Sequence, residues 1–191
     1  MTETSALKDR YAVLLRGVNV GGNHPVPKDE FRDVLASLGA REITIYLNSG
    51  NAVCSFPTHP GSAAVQEALE SHFGFPIPTL MLPGTRVMEI AEAIPAHWSN
   101  DSPNPDRDGQ KSDVLYLFDD IDHPSVLDQL GYQAEIETMH YLPGAVLAHI
   151  SRANQSKGSL QRVIGTKLYA RMTVRNVNTA RKLAELVAAS A

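Results

Sequence analysis

Two arginines, a set of asparagines and a glycine pair are the residues of this 191-residue chain best suited to chemistry. Arg16-Gly17-Val18-Asn19-Val20-Gly21-Gly22-Asn23 follows an apolar run, Asn48-Ser49-Gly50-Asn51 is a polar turn, and Arg175-Asn176-Val177-Asn178-Thr179 lies near the end. Guanidinium groups, amide donors and exposed glycine N–H groups are what a phosphate or another anion requires of its host. The candidate ligand-binding set is Arg16, Asn19, Gly21, Gly22, Asn48, Ser49, Gly50, Asn51, Arg175, Asn176, Asn178 and Thr179. In this reading the arginines pair with the anion, the Gly21-Gly22 amides cradle it, and Asn19, Asn48, Asn51 and Asn178 orient the rest of the ligand. A plainer role is open to each. Gly21-Gly22 can serve a tight connection, residues 48–51 suit a hairpin, and Arg16 can be the first solvated residue past a buried strand. Asp29 and Glu30, opening the next helix, would partly repel an anion.

Other chemistry is poorly supplied. No residue reads as a nucleophile or general base, so catalytic residues stay unassigned, and no cofactor is implied. The seven histidines are scattered without metal-ligand spacing. His140 and His149 suit a structural cross-strand pair. Asp119, Asp120, Asp122 and His123 could hold Mg²⁺ through carboxylates, but their place before Pro124 suits a helix start better. Gly-x-Ser-x-Gly, Walker and dinucleotide fingerprints are missing. Cys54, the single cysteine, has no partner for an internal disulfide and reads as inert core in a central strand. Trp98, the single tryptophan, flanks a polar loop and either closes over something or pins that loop.

The apolar share of 43%, the charged share of 20% and a mean hydropathy of -0.17 describe an ordinary globular chain. No apolar run reaches the ~18 residues that span a bilayer, and the polar start lacks a signal-peptide layout. The expectation is a cytoplasmic protein with no membrane partner. The net charge of -4 conceals an asymmetry: eight basic residues and one acid lie in 152–191, so that segment carries +7 and the remainder -11. The basic segment 152–182 opens an alternative, RNA or single-strand nucleic-acid binding. Overall acidity and only 6% aromatic residues, the usual stacking platforms, stand against it. A third reading is a purely structural or partner-binding protein.

Several elements must position these residues. Tyr11–Leu15 is a continuous apolar run that suits a central strand. Pro27 opens a helix carrying Phe31, Val34, Leu35 and Leu38 at helical spacing. Ile43–Leu47 alternates, Ala52–Phe56 returns, Val65–Phe73 forms a second helix ended by Gly74, and Ile77–Leu82 carries Pro78, which confines it to a sheet edge. The order β-α-β-β-α-β predicts a ferredoxin-like α+β subdomain over residues 1–98, strand order 4-1-3-2. That order places the exit of the first strand and the Asn48–Asn51 turn at one end. Val87–Ile94 predicts a third helix. Residues 99–111 read as a polar linker. Residues 112–191 predict a second, smaller α+β subdomain: strands at Asp113–Phe118, Ala134–Tyr141 and Val146–Ile150, and helices at Pro124–Leu130, Leu160–Arg171 and Val174–Val187. Thr173 is expected to cap the last helix, placing the third motif in its first turn, and the ligand is expected at the subdomain junction.

The segments Leu14–Gly22, Tyr46–Asn51 and Thr173–Thr179, in that order, resemble the bacterial family known as "domain of unknown function 1697". The likeness extends from Tyr11 to the last helix. It implies a cytoplasmic bacterial α+β protein with two subdomains and carries no activity with it. Similar members often have lysine where Asn23 stands and tryptophan where Val177 stands. The first difference weakens the anion reading, and the second removes a stacking surface.

Overall fold

The computed structural model describes residues 9–100 and 109–189. It is a mixed α+β structure with two four-stranded antiparallel sheets and, among the described residues, six α-helices. The chain divides into two compact units, one formed by the chain up to Met88 with the stretch from Lys182 onward, the other by Glu89–Arg181.

In the first unit β1 (Arg10–Leu15), α1 (Lys28–Ser37), β2 (Arg41–Tyr46), β3 (Asn51–Ser55), α2 (Ser62–Phe73) and β4 (Thr79–Pro83) follow one another, and α3 (Gly84–Glu92) starts directly after β4. The strand order is β2-β3-β1-β4, which is 4-1-3-2 read from the other edge. Burial explains the placement. All six residues of β1 are buried, whereas β2 is exposed along much of its length. The unbroken apolar run Tyr11–Leu15 must be covered on both faces, and a partly polar strand tolerates an edge. Side chains alternate across a strand, so Tyr11, Val13 and Leu15 point to one face. There they pack with Ala52, Cys54 and Met81 beneath Phe31 and Leu35 of α1 and Val65 and Leu69 of α2. Arg10 is buried at 2% exposure, ion-paired to Glu42 at 2.9 Å, and its Nη2 donates to the Leu186 carbonyl oxygen.

The second unit holds β5 (Gln110–Leu117), α4 (Val126–Leu130), β6 (Glu137–Leu142), β7 (Ala145–Ser151), α5 (Ser159–Val163) and β8 (Met172–Asn176), with α6 (Val177–Ala188) starting directly after β8. Its strand order is β6-β7-β5-β8. The two halves therefore share one plan, down to the helix that leaves the fourth strand without a loop. The unit division falls inside α3 and inside α6.

This corrects three expectations. The second half has a fourth strand where a helix was expected: Met172–Asn176 pairs with β5, Asp113 opposite Asn176 and Leu117 opposite Met172. Thr173 is thus inside a strand, opposite Tyr116, and not at the start of the last helix; Asn176 holds the cap position, its Oδ1 accepting the Thr179 N–H at 2.8 Å. The helix expected over Leu160–Arg171 is broken into α5 and a 3-10 turn at Tyr169–Arg171. Smaller shifts follow the same logic. Pro27 sits one position outside α1 with ψ 141, Pro78 lies just before β4, and Leu47 lies past β2 with φ 59. Of the expected linker, residues 101–108 lie outside the described residues. Gln110 and Lys111 already belong to β5. No helix among the described residues is long and apolar enough to cross a membrane.

Candidate functional site

The first unit brings Arg16, Asn19, Gly21, Gly22 and the 48–51 turn to one end of its sheet, on two loops tied by hydrogen bonds. Leu15 N–H donates to the Gly50 carbonyl oxygen at 2.8 Å, and Arg16 N–H donates to that of Pro78 at 2.9 Å. Asn19 is the clasp. Its Nδ2 donates to Asn48 O at 2.7 Å and Val26 O at 3.2 Å, while its Oδ1 accepts Val26 N–H at 2.9 Å. Both amide hydrogens of Asn19 are thereby committed. Asn51, fully buried, likewise donates to Tyr46 O and to the Ser49 hydroxyl, both at 2.9 Å. These two asparagines build the loops, whereas Asn48 and Ser49 present exposed side chains.

Backbone conformation shows how tightly this end is built. Three of the four non-glycine residues with positive φ among the described residues, Asn19, His24 and Leu47, belong to it. Such positions cost energy and persist only where the surroundings impose them. Gly50 is required here: with φ +71, a Cβ would meet Leu15 Cβ at 2.6 Å. The Gly21 and Gly22 N–H groups are exposed and meet no protein acceptor among the described residues. Asp29, in the first turn of α1, pairs with Arg32 at 2.8 Å, which offsets part of its negative field, and Glu30 Oε2 lies 2.9 Å from His72 Nε2.

Arg175, Asn176, Asn178 and Thr179 lie in the second unit. Arg175 is on β8, opposite Val114, not on the last helix. It is buried at 9% exposure, and its Nη1 donates to the Thr173 hydroxyl and the Val174 carbonyl oxygen, both at 2.9 Å. Burial pulls its proton affinity down to about 10, partly countered by nearby Tyr116.

The other sequence candidates settle into structural contacts. Asp120 forms a two-pronged pair with Arg171, which holds its carboxyl below the usual range. Asp122 accepts from the Tyr141 hydroxyl and the Gly144 N–H. No group of three metal-ligating side chains that could hold an ion occurs among the described residues. Cys54 is fully buried, and burial pushes its thiol up to about 12, where it is inert as a nucleophile. Trp98 stacks on His149 at 4.7 Å and on His140 at 6.0 Å. The two histidines do share a sheet face, in the rows Thr138–His149 and His140–Leu147. His149 Nδ1 lies 2.7 Å from the Ser112 hydroxyl.

Sequence reasoning overlooked the charged groups of the second sheet. Lys111 Nζ pairs with Asp113 at 3.0 Å, and Glu137 is buried at 6% exposure. Lys111-Ser112-Asp113 carried the signal, because residues two apart in a strand share a face. Glu137 carried none, because Ser159, whose N–H and hydroxyl it accepts, is distant in sequence.

The chain is similar to the conserved bacterial protein SP0830 from Streptococcus pneumoniae. The two are 26% identical, with a TM-score of 0.71, over 93% of this chain and 98% of that one. No curated protein matches it. The family described as "Protein of unknown function (DUF1697)" matches residues 9–147, and the motifs at Arg16–Gly22 and Asn48–Asn51 fall within that match. The chain belongs to this family.

Proposed function

We propose that this protein binds a small ligand carrying phosphate or another anionic group, seated on the Arg16–Asn23 loop, as a cytoplasmic protein built from two ferredoxin-like halves. The observation that carries the reading is the pair of exposed Gly21 and Gly22 N–H groups that meet no protein acceptor among the described residues. They stand on a loop held in unfavourable conformations by the Asn19 clasp. Hydrogen bonds to a charged group contribute about 1.5–3 kcal/mol each, so two amides and the Arg16 charge suffice for a millimolar to micromolar ligand. The nearby start of α1 adds only ~0.3–1 kcal/mol. No reaction is assigned.

Nucleic-acid binding through 152–182 has less support. Arg171 is engaged by Asp120 and Arg175 is buried. Arg181 donates to the Trp98 and Pro95 carbonyl oxygens, and Lys182 pairs with Glu185. The test is a titration of the ¹⁵N-labelled full chain with inorganic phosphate. Gly21 and Gly22 amide signals should shift saturably, and Arg16→Gln should weaken binding roughly tenfold, about 1.4 kcal/mol. No shift of these signals at about 10 mM phosphate would overturn the reading.

A further inference from the structure

The second unit contains a cavity of about 90 Å³ that the anion reading leaves without a role. Its floor is one face of the second sheet. Strand register places Lys111, Ile150 and Glu137 in one row and Asp113, Ala148 and Met139 in the next. Leu160 of α5, Ile164 and Tyr169 form part of the opposite wall. Most of this lining is apolar, and the charges on it are ordered. Glu137 is satisfied by the Ser159 and Gln133 N–H groups, each at 3.0 Å, and by the Ser159 hydroxyl. The remaining charges are the Lys111–Asp113 pair, 3.0 Å apart, with side-chain exposures of 30% and 8%, and Arg152, whose charge also acts on Asp113.

We propose that this cavity binds a small zwitterion with an aliphatic body, of the chemistry of a short-chain α-amino acid, its ammonium on Asp113 and its carboxylate on Lys111. Charge balance selects this class. Lys111 and Arg152 together balance Asp113 and Glu137, so a lone cation or anion entering beside them leaves an uncompensated charge in a poorly hydrated place, and that is costly. A zwitterion keeps the site neutral and gives Asp113 and Lys111 each a second opposite partner. Asp113 has use for one: its burial raises its proton affinity in spite of Lys111 and Arg152. Size is consistent, because 90 Å³ is several times the ~10–15 Å³ that a single water needs on this measure. That accommodates a short aliphatic side chain, with its polar head toward the partly exposed Lys111.

The test uses the ¹⁵N-labelled full chain and three probes: L-valine, isobutylamine and isovalerate. L-valine should shift the Asp113, Ala148 and Gly158 amide signals saturably, with isobutylamine and isovalerate at least roughly tenfold weaker. Lys111→Gln, at the exposed end of the pair, should lower valine affinity by a similar factor. Ala148→Leu, which fills the cavity, should abolish the shifts while the remaining spectrum stays folded. The proposal is overturned if L-valine shifts none of these signals, if all three probes bind alike, or if both folded variants bind valine as the wild type does. The signals lie in a different unit from Gly21 and Gly22, so this result is read separately from the phosphate titration.

Discussion

Replacing Gly50 by alanine tests whether the turn at 48–51 is held against the first strand as tightly as the geometry implies. Two costs add. An L-residue at φ +71 adopts a left-handed backbone, worth roughly 1–2 kcal/mol. The new methyl would also lie 2.6 Å from Leu15 Cβ and 2.9 Å from Val18 Cγ2. Leu15 is 1% exposed and Val18 4%, so neither can swing into solvent. Overpacking of this kind costs about 1–3 kcal/mol, which brings the expected loss to about 2–5 kcal/mol. Gly74 is the matched control. Its φ is +76, yet a Cβ there meets nothing within 4 Å, so Gly74→Ala should carry the backbone cost alone, about 1–2 kcal/mol. Both variants gain equally from a stiffer unfolded chain, so that contribution cancels in the comparison. Urea titration followed by NMR signals of the first unit measures the difference; Trp98 belongs to the second unit and reports the wrong one. Equal losses in the two variants, within about 0.5 kcal/mol, would refute the close packing of the turn on Leu15.

Two further expectations concern the second unit. Burial, and then the charge of His97, lower the proton affinity of His149 below the ordinary 6.5. The unfolded chain takes up this proton first as pH falls, so stability should drop from about pH 6.5 down to the lowered folded value and level off beneath it. Urea midpoints across that window should decline less in His149→Gln than in the wild type; parallel declines would exclude His149 as the source. Glu137→Gln replaces one acceptor oxygen with a donor opposite either the Ser159 or the Gln133 N–H group. A buried donor left unsatisfied costs about 1–3 kcal/mol, so the loss should be about 1–3 kcal/mol by urea titration on Trp98 fluorescence. A loss below about 0.5 kcal/mol would show that the carboxylate is not the cap of α5.

Local chemistry made much of the first unit legible. The unbroken apolar run at Tyr11–Leu15, the helical spacing of Phe31, Val34 and Leu35, and the proline beside Thr79 each act within a few residues of themselves, and each element stands near its expected place. The meeting of the Arg16–Asn23 loop with the Asn48–Asn51 turn followed from strand directions alone. The use made of the asparagines did not. Whether Asn19 faces a ligand or clasps two loops depends on where Asn48 O and Val26 O lie, and sequence spacing does not encode that.

The second unit shows the boundary most clearly. Met172-Thr173-Val174-Arg175-Asn176 suits a strand or the approach to a helix, because Thr and Val favour extended backbone while Val177, Leu183 and Val187 impose helical spacing just beyond. Local preference cannot choose between the two. Pairing with β5, whose residues stand more than fifty positions earlier in the chain, makes the segment a strand and buries Arg175 in it. Helical spacing and turn chemistry are set by neighbours in sequence and are written there, although the broken Leu160–Arg171 segment shows that the extent of a helix is not. Strand partners, the burial of a charge and the walls of a cavity are set by residues far apart, and these only the folded chain decides.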